Sequence, residues 1–316
     1  DTPEEVRTGA GSAYYPVEMS GVIRQILETP GRYAVTGLPC FIKAIRLAQQ
    51  RNKKLQERVV VTVGLVCGQL KSRHFTDYIA ARAGVREEVT GVRYRGKSPD
   101  HPAGNFYFSF TTADGEEQRI FWNEGIAEAW TSRWFTPKAC SYCDDVFAEC
   151  ADATCMDAWL REYKKDPSGT SLLIVRSLAI FNLIKVGSNL DQVCVEKIAI
   201  SRIIRSQRNV ILYKRGDLAY RLHKGERNRS KLPQKRIKPF NCLNPLMRWK
   251  SNIIATMQKQ SMQFIYDQYY SKKDILDVKR KFSSGLIQLR IINLSAYPSH
   301  IIRYCFDLLN RKFGGR

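Results

Sequence analysis

Within the first 85 residues a β-branched apolar run twice gives way to a turn and then to an amphipathic helix, and this doubling constrains the fold more than any other feature. Arg32 to Thr36 (RYAVT) runs into Gly37-Leu38-Pro39, which opens a helix from Cys40 to about Gln50. Arg58 to Val66 (RVVVTVGLV) ends at Cys67, and after a loop comes a helix over Ser72 to Ala83, stopped by Gly84. β-branched side chains suit a pleated strand, whereas spacing near 3.6 suits a helix. Two strands joined through a helix lie parallel with a right-handed crossover, so the pattern predicts an α/β fold with a mixed, partly parallel sheet flanked by helices.

Around this unit, Val17 to Thr29 predicts a helix closed by Pro30-Gly31, and Asn105 to Thr112 with Glu117 to Trp122 predicts a hairpin turning at Asp114-Gly115. A helix is expected from Glu124 to about Trp134, and Ser171 to Val175 (SLLIV) as a final buried strand. Beyond residue 185 the spacing becomes helical, over Asn189 to Arg205, Asn244 to Tyr270 and Ser299 to Lys312, with Lys224 to Lys238 as a charged linker. We therefore expect two regions: an α/β core over residues 1–184 and a basic, helix-rich C-terminal region over 185–316. Charge follows the same division. Residues 1–200 hold 25 basic and 24 acidic side chains, but 201–316 hold 26 against 6, so +20 of the net +21 lies in the tail. Such a tail could meet a polyanion, an acidic electron carrier or a membrane surface.

Nine cysteines cannot all pair, and they are too sparse for a disulfide scaffold, so reduced thiols or metal ligands in a cytoplasmic protein are expected. The longest apolar run, Ser171 to Ile184, is interrupted by Arg176 and is too short to span a bilayer. The chain begins at Asp1 without an apolar signal core, which leads us to expect a processed chain or a fragment.

Cys40 and Cys67 each follow a predicted strand, and in an open parallel sheet the carboxyl ends of the strands share one crevice where ligands bind. Cys40 also begins a helix, whose dipole favours a thiolate. Cys140-Ser141-Tyr142-Cys143 adds two sulfurs that can face one ion or cluster. A purely local set, Cys140, Cys143, Cys150 and Cys155, would make a structural zinc knot instead. Spacing leaves both sets, and zinc or iron–sulfur, open. Cys194, Cys242 and Cys305 read as small buried hydrophobes, and His74, His101, His223 and His300 show no ligand spacing to the cysteines.

Two phosphate-binding patterns are weaker. Gly91-Val92-Arg93-Tyr94-Arg95-Gly96-Lys97-Ser98 fits G-x4-G-K-S, but its loop is bulky and Pro99 and Pro102 forbid the helix the mechanism needs, so a basic strand edge is expected. Gly9-Ala10-Gly11-Ser12 is small enough for close backbone approach, yet follows no predicted strand.

Taken in order, Gly11-Ser12-Ala13-Tyr14, Gly37-Leu38-Pro39-Cys40, Gly64-Leu65-Val66-Cys67-Gly68, Lys71-Ser72, Tyr94-Arg95-Gly96-Lys97, Cys140-Ser141-Tyr142-Cys143-Asp144, Ala151-Asp152, Asp157-Ala158-Trp159 and Gly169-Thr170-Ser171-Leu172 resemble the coenzyme F420 hydrogenase/dehydrogenase beta subunit family. The resemblance implies an oxidoreductase with FAD and a 4Fe–4S cluster that relays electrons between a redox partner, such as ferredoxin or another subunit, and a two-electron acceptor, coenzyme F420 or a related substrate. It implies Cys40, Cys67, Cys140 and Cys143 as cluster ligands. Gly11, Ser12, Tyr14, Gly37, Pro39 and Asp157 would lie against the flavin, with Lys71 and Lys97 as candidates for a cofactor phosphate or an anionic substrate. Two departures bear on those contacts: Ala13 stands where the family commonly has Lys after Gly-Ser, and Met156 where it has Gly before Asp157. Many relatives also carry an upstream ferredoxin-like segment that does not stand in these 316 residues; if it has been lost, electrons would arrive from another protein. The competing expectation is a nucleic-acid or polyanion-binding protein with a structural four-cysteine zinc site; the tail carries no recognition motif, which disfavours nucleic acid.

Overall fold

The computed structural model describes residues 2–271 and 274–296, with side chains over 2–264 and 274–295. The helix expected at Ser299 to Lys312, with His300 and Cys305, lies outside the described residues. In chain order the elements are α1 (Pro3–Thr8), α2 (Ser20–Glu28), β1 (Tyr33–Gly37), α3 (Pro39–Gln49), α4 (Lys53–Arg58), β2 (Val59–Leu65), α5 (Arg73–Arg82), β3 (Val89–Gly96), β4 (Tyr107–Thr112), β5 (Glu117–Phe121), α6 (Ile126–Thr131), β6 (Ala153–Asp157) and β7 (Ser171–Val175). Helices follow: α7 (Leu178–Asn189), α8 (Ile200–Ser206), α9 (Arg208–Lys214), α10 (Gly216–Arg227), α11 (Pro245–Ser271), α12 (Asp277–Lys281) and α13 (Ser283–Ala296). Among the described residues no helix is long and apolar enough to cross a membrane.

The expected α/β class is what forms: one sheet runs β1-β2-β6-β7 and a second β3-β4-β5. β1, β2 and β6 are parallel, while β7 returns antiparallel along β6. Ile26, Ile45 and Leu55 from α2, α3 and α4 bury themselves against Val35 and Val59, closing one face of the β1–β2 pair. The Asp114-Gly115 hairpin forms as expected, with Gly115 at φ +86°. The phosphate-loop look-alike is β3, the edge of the antiparallel sheet.

Phe75, Phe108, Phe110 and Trp134 share one core with Met257, Phe264 and Phe282, so α11 and the end of α12 pack directly on the antiparallel sheet. Polar ties hold α11 there. Ser261 Oγ accepts from the Phe135 N–H at 2.8 Å, and Gln258 both accepts from Ser141 Oγ at 2.7 Å and donates to the Thr136 carbonyl at 3.0 Å.

Three local expectations are corrected. The helix expected over Asn189 to Arg205 is interrupted: α7 ends at Asn189, Asp191 adopts φ +54°, and the N–H groups of Gln192 and Val193 turn back to the Gly187 carbonyl. Gly187-Ser188-Asn189 is a weak helical run, and β-branched Val193 and Val195 do not restore it. Ser171–Val175 is an edge strand rather than a buried one, because among the described residues β7 pairs with β6 alone and leaves Leu173 exposed. The linker expected from Lys224 begins later, since α10 continues through Arg227.

Candidate functional site

Parallel pairing brings the carboxyl ends of β1, β2 and β6 to one edge. Gly37 pairs with Gly64 and Leu65 with Cys155, while the Val66 N–H donates to the Cys155 carbonyl at 3.0 Å and the Cys67 N–H to the Val146 carbonyl at 3.4 Å, so Cys67 and Asp157 leave the sheet at the same end. Gly37 ends β1, and Pro39, buried in the first turn of α3, is followed by Cys40. Cys140 lies in a 3₁₀ turn over Lys138–Tyr142, and Cys143 follows as its cap.

The four sulfurs influence one another. Burial pushes the Cys67 thiol up to about 11, the Lys214 ammonium opposes this, and charge on Cys140, Cys143 and Cys40 each adds to the rise. Cys40 is exposed, yet enough protein surrounds it that desolvation is the largest cause of its raised thiol, followed by charge on Cys143 and Cys140; the helix-start N–H groups of Phe41 and Cys40 pull the other way. Desolvation and the neighbouring sulfurs therefore outweigh the helix dipole expected to favour a thiolate. Such mutual repulsion is relieved by a bound cation or cluster, which ionises coordinating thiols. Cys140 Sγ accepts from the Leu70 N–H at 3.4 Å, and Cys143 Sγ from Lys214 Nζ at 3.2 Å. The donor set is that of a thiolate-ligated centre, and the electrostatic coupling puts the Cys40, Cys140 and Cys143 sulfurs in the neighbourhood of Cys67. Among the described residues no group of three or more His, Cys, Asp or Glu is set to hold a single metal ion.

The local cysteine set is not gathered. Cys155 lies within β6, and burial alone raises its thiol, with no other cysteine among the causes. Cys150 is exposed, and its carbonyl accepts from Arg46 Nε at 3.0 Å.

A second group stands on the same edge. Asp157 accepts both guanidinium nitrogens of Arg95, at 2.7 and 2.8 Å, and its carbonyl accepts from Gln207 Nε2 at 2.9 Å. The Arg95 guanidinium also lies 4.8 Å from the Phe106 ring centre and 5.6 Å from that of Trp159. Tyr14 packs on Tyr94, Phe108 and Trp130, and its hydroxyl is raised by burial and opposed by the charge of Arg95, within reach of Ser12. Gly11, at φ +129°, has open space where a side chain would be. Lys97 donates to the Ser168 carbonyl, beside Gly169 in the turn that leads to β7. Ser12, Tyr14 and Asp157 thus meet around Arg95. Lys71 is set apart: fully buried, its ammonium meets the Trp134 carbonyl at 2.8 Å, Thr136 Oγ1 at 3.2 Å and the Ala129 carbonyl at 3.4 Å. Burial, and then Arg133, hold its ionisation well below the usual lysine range. It also lies 4.6 Å from the Phe75 ring centre and 5.0 Å from that of Trp130, and charge on Cys140 opposes the lowering.

A family model for the C-terminal part of the coenzyme F420 hydrogenase/dehydrogenase beta subunit matches residues 31–200, a stretch that includes all four converging cysteines. The chain belongs to this beta subunit family. It is accordingly an oxidoreductase of the beta-subunit kind. Among solved structures, the chain is similar in fold to one in the xenon-derivatised F420-reducing [NiFe] hydrogenase complex from Methanosarcina barkeri, with TM-score 0.50, 15% identity, and 73% of this chain and 75% of that chain covered. No curated protein matches the chain.

Within this beta-subunit framework, Arg95 and Lys214 take functional positions that the sequence alone does not mark. Arg95 lies inside the quoted Tyr94-Arg95-Gly96-Lys97 motif and has φ +59°, unusual for a side-chain-bearing residue. Lys214 had no signal, being one lysine in a basic helical tail.

Proposed function

We propose that this chain binds FAD and a 4Fe–4S cluster and relays electrons between a redox partner protein and a two-electron acceptor, coenzyme F420 or a relative of it. The observation that carries the reading is the convergence of the Cys40, Cys67, Cys140 and Cys143 thiols at the carboxyl ends of the parallel strands. Soft thiolates suit an iron–sulfur centre. When bound, the cluster moves single electrons and the flavin couples them to two-electron transfer.

The chain's own residues supply ligation and orientation. Cys40 and Cys67 come from two strand ends and Cys140 and Cys143 from the 3₁₀ turn, so the centre would tie the sheet to the loop after α6. Arg95, clamped by Asp157, presents a fixed cation beside Ser12 and Tyr14, where Gly11 leaves room for a phosphate-bearing cofactor to approach the backbone. Gly37 and Pro39, at the turn from β1 into α3, would set the backbone that places Cys40, and Lys97, exposed beside Ser168, would offer an ammonium to an anionic group. The membership of the similar hydrogenase chain in a complex supports a partner subunit for this one.

Anaerobic purification followed by a visible spectrum and iron, sulfide and flavin analysis tests the reading. Iron with sulfide, and flavin absorbance, are expected; a colourless protein holding zinc would refute it. Cys40→Ser should abolish cluster incorporation and Cys150→Ser should leave it intact, with the reverse result favouring the local set. Assaying the reduced protein against coenzyme F420 and other two-electron acceptors identifies the substrate.

A further inference from the structure

We propose that Lys214 is the positioning residue that sets the reduction potential of the four-cysteine centre, by acting as its buried counter-charge. This rests on the iron–sulfur reading above. Lys214 closes α9, is 2% exposed, and donates to Cys143 Sγ at 3.2 Å and to the Asp145 carbonyl at 2.7 Å. The helix reaches the site because it packs over the turn that follows Cys67: Val210 lies 3.8 Å from where a side chain on Gly68 would begin.

A buried ammonium requires compensating negative charge. Among the described residues Lys214 has no carboxylate in ion-pair range, because the acidic groups nearby are committed elsewhere. Asp144 pairs with Arg236 at 3.3 Å, Glu149 pairs with Arg215 at 2.9 Å and also with Arg236, and the Asp145 carboxylate accepts from the Glu149 N–H. Besides the Asp145 carbonyl, which is neutral, what remains for Lys214 is the Cys143 sulfur.

The direction of the effect follows from charge. Four thiolates around a 4Fe–4S core leave the oxidised centre anionic, and one added electron makes it more so. A fixed cation therefore stabilises the reduced form more than the oxidised form and raises the potential. Because the ammonium is buried, added salt screens it little.

The test is a redox titration followed by electron paramagnetic resonance on the full chain carrying its cluster, comparing wild type with Lys214→Met, Lys214→Gln and Lys214→Arg. Lys214→Met and Lys214→Gln should shift the midpoint to more negative values, and Lys214→Arg should stay near wild type. Gln keeps an N–H donor without the charge, so a wild-type midpoint in Lys214→Gln overturns the inference while leaving the cluster reading intact. Should the two neutral variants lose iron and sulfide with unchanged far-ultraviolet circular dichroism while Lys214→Arg keeps both, the counter-charge role is supported. Loss in all three variants overturns it in favour of packing. A wild-type chain without iron and sulfide overturns the preceding reading itself.

Discussion

Gly64 is the point where the strand leading to Cys67 meets the segment that follows Cys140 and Cys143, and the structure leaves no room for a side chain there. A Cβ on Gly64 would stand 2.3 Å from Ala148 Cβ and 3.0 Å from both Ala151 Cβ and Thr154 Oγ1. Carbon atoms pack at about 3.5–4.0 Å, so Gly64→Ala forces a displacement of more than about 1 Å. Nothing flexible can absorb it: Ala148 is fully buried, Ala151 is 3% exposed, and both end at Cβ. Either β2 or the loop must move. Overpacking of this kind costs about 1–3 kcal/mol, and with a rigid neighbour we expect the upper end. At roughly 2–4 °C per kcal/mol for a domain somewhat smaller than this chain, the melting temperature should fall by roughly 6–12 °C. The cycle is completed at Ala148, whose φ of +46° is a conformation that glycine adopts freely. Ala148→Gly removes the nearest obstacle and relieves left-handed strain of about 1 kcal/mol, so Gly64→Ala/Ala148→Gly should recover a large part of the loss, with a coupling of about 1–2 kcal/mol. Calorimetry on the four proteins measures this. A Gly64→Ala melting temperature within roughly 2 °C of wild type, or additive single effects, would refute the packing argument.

Two further perturbations test the framework around the site. Asp152 Oδ2 accepts from Arg46 Nη2 at 2.8 Å, the Thr62 N–H at 2.7 Å and Thr62 Oγ1 at 2.9 Å, locking β2 to the segment entering β6; Asp152→Ala should cost about 2–4 kcal/mol in urea denaturation, and an unchanged midpoint would show that this network does not hold the strands. Asp217 in the first turn of α10 has its ionisation raised by burial, opposed by Arg221, Lys250 and Arg133. A raised acid binds its proton more tightly when folded, so its contribution to stability is full below the ordinary aspartate range and is lost as pH rises through the raised native value. The stability of wild type relative to Asp217→Asn should therefore decline with rising pH above about 4, and a pH-independent difference between their urea curves would contradict it.

The parallel unit is legible because its signals are local: Val59 to Val63 is β-branched, Gly37-Leu38-Pro39 cannot continue a strand, and Cys40 and Cys67 inherit their positions from those boundaries. The segment after Cys143 is not. β6 is five residues, Ala-Thr-Cys-Met-Asp, with no propensity to mark it; it is a strand because β2 and β7 hydrogen-bond it from both sides. Whether Cys155 could join a local cluster depended on that strand. Arg95 and Lys214 are illegible for the same reason, since one acquires its role from Asp157 and the other from Cys143, each more than sixty residues away in sequence.

The basic tail changes meaning once its partners are known. As a sequence property, +20 concentrated in 116 residues suggests an outward-facing surface for an anionic partner. In the fold, part of that charge faces the near-neutral core: Arg202 pairs with Glu162, Arg215 and Arg236 with Glu149, Arg236 with Asp144, and Lys279 and Arg290 with Glu128. Single exposed pairs of this kind are worth about 0–1 kcal/mol, so their sum is not what holds the domain together. Their distribution matters more. Glu149 and Asp144 flank the loop that carries Cys143, Arg221 donates to the Ser141 carbonyl at 3.0 Å, and Lys214 reaches Cys143 itself. The tail therefore grips the segment from Ser141 to Glu149 at several points, with Arg215 and Arg236 at the surface and Arg221 and Lys214 further in. Neutralising Arg215 and Arg236 should loosen that turn while leaving Cys67, which follows β2, and Cys40, in the first turn of α3, where they are.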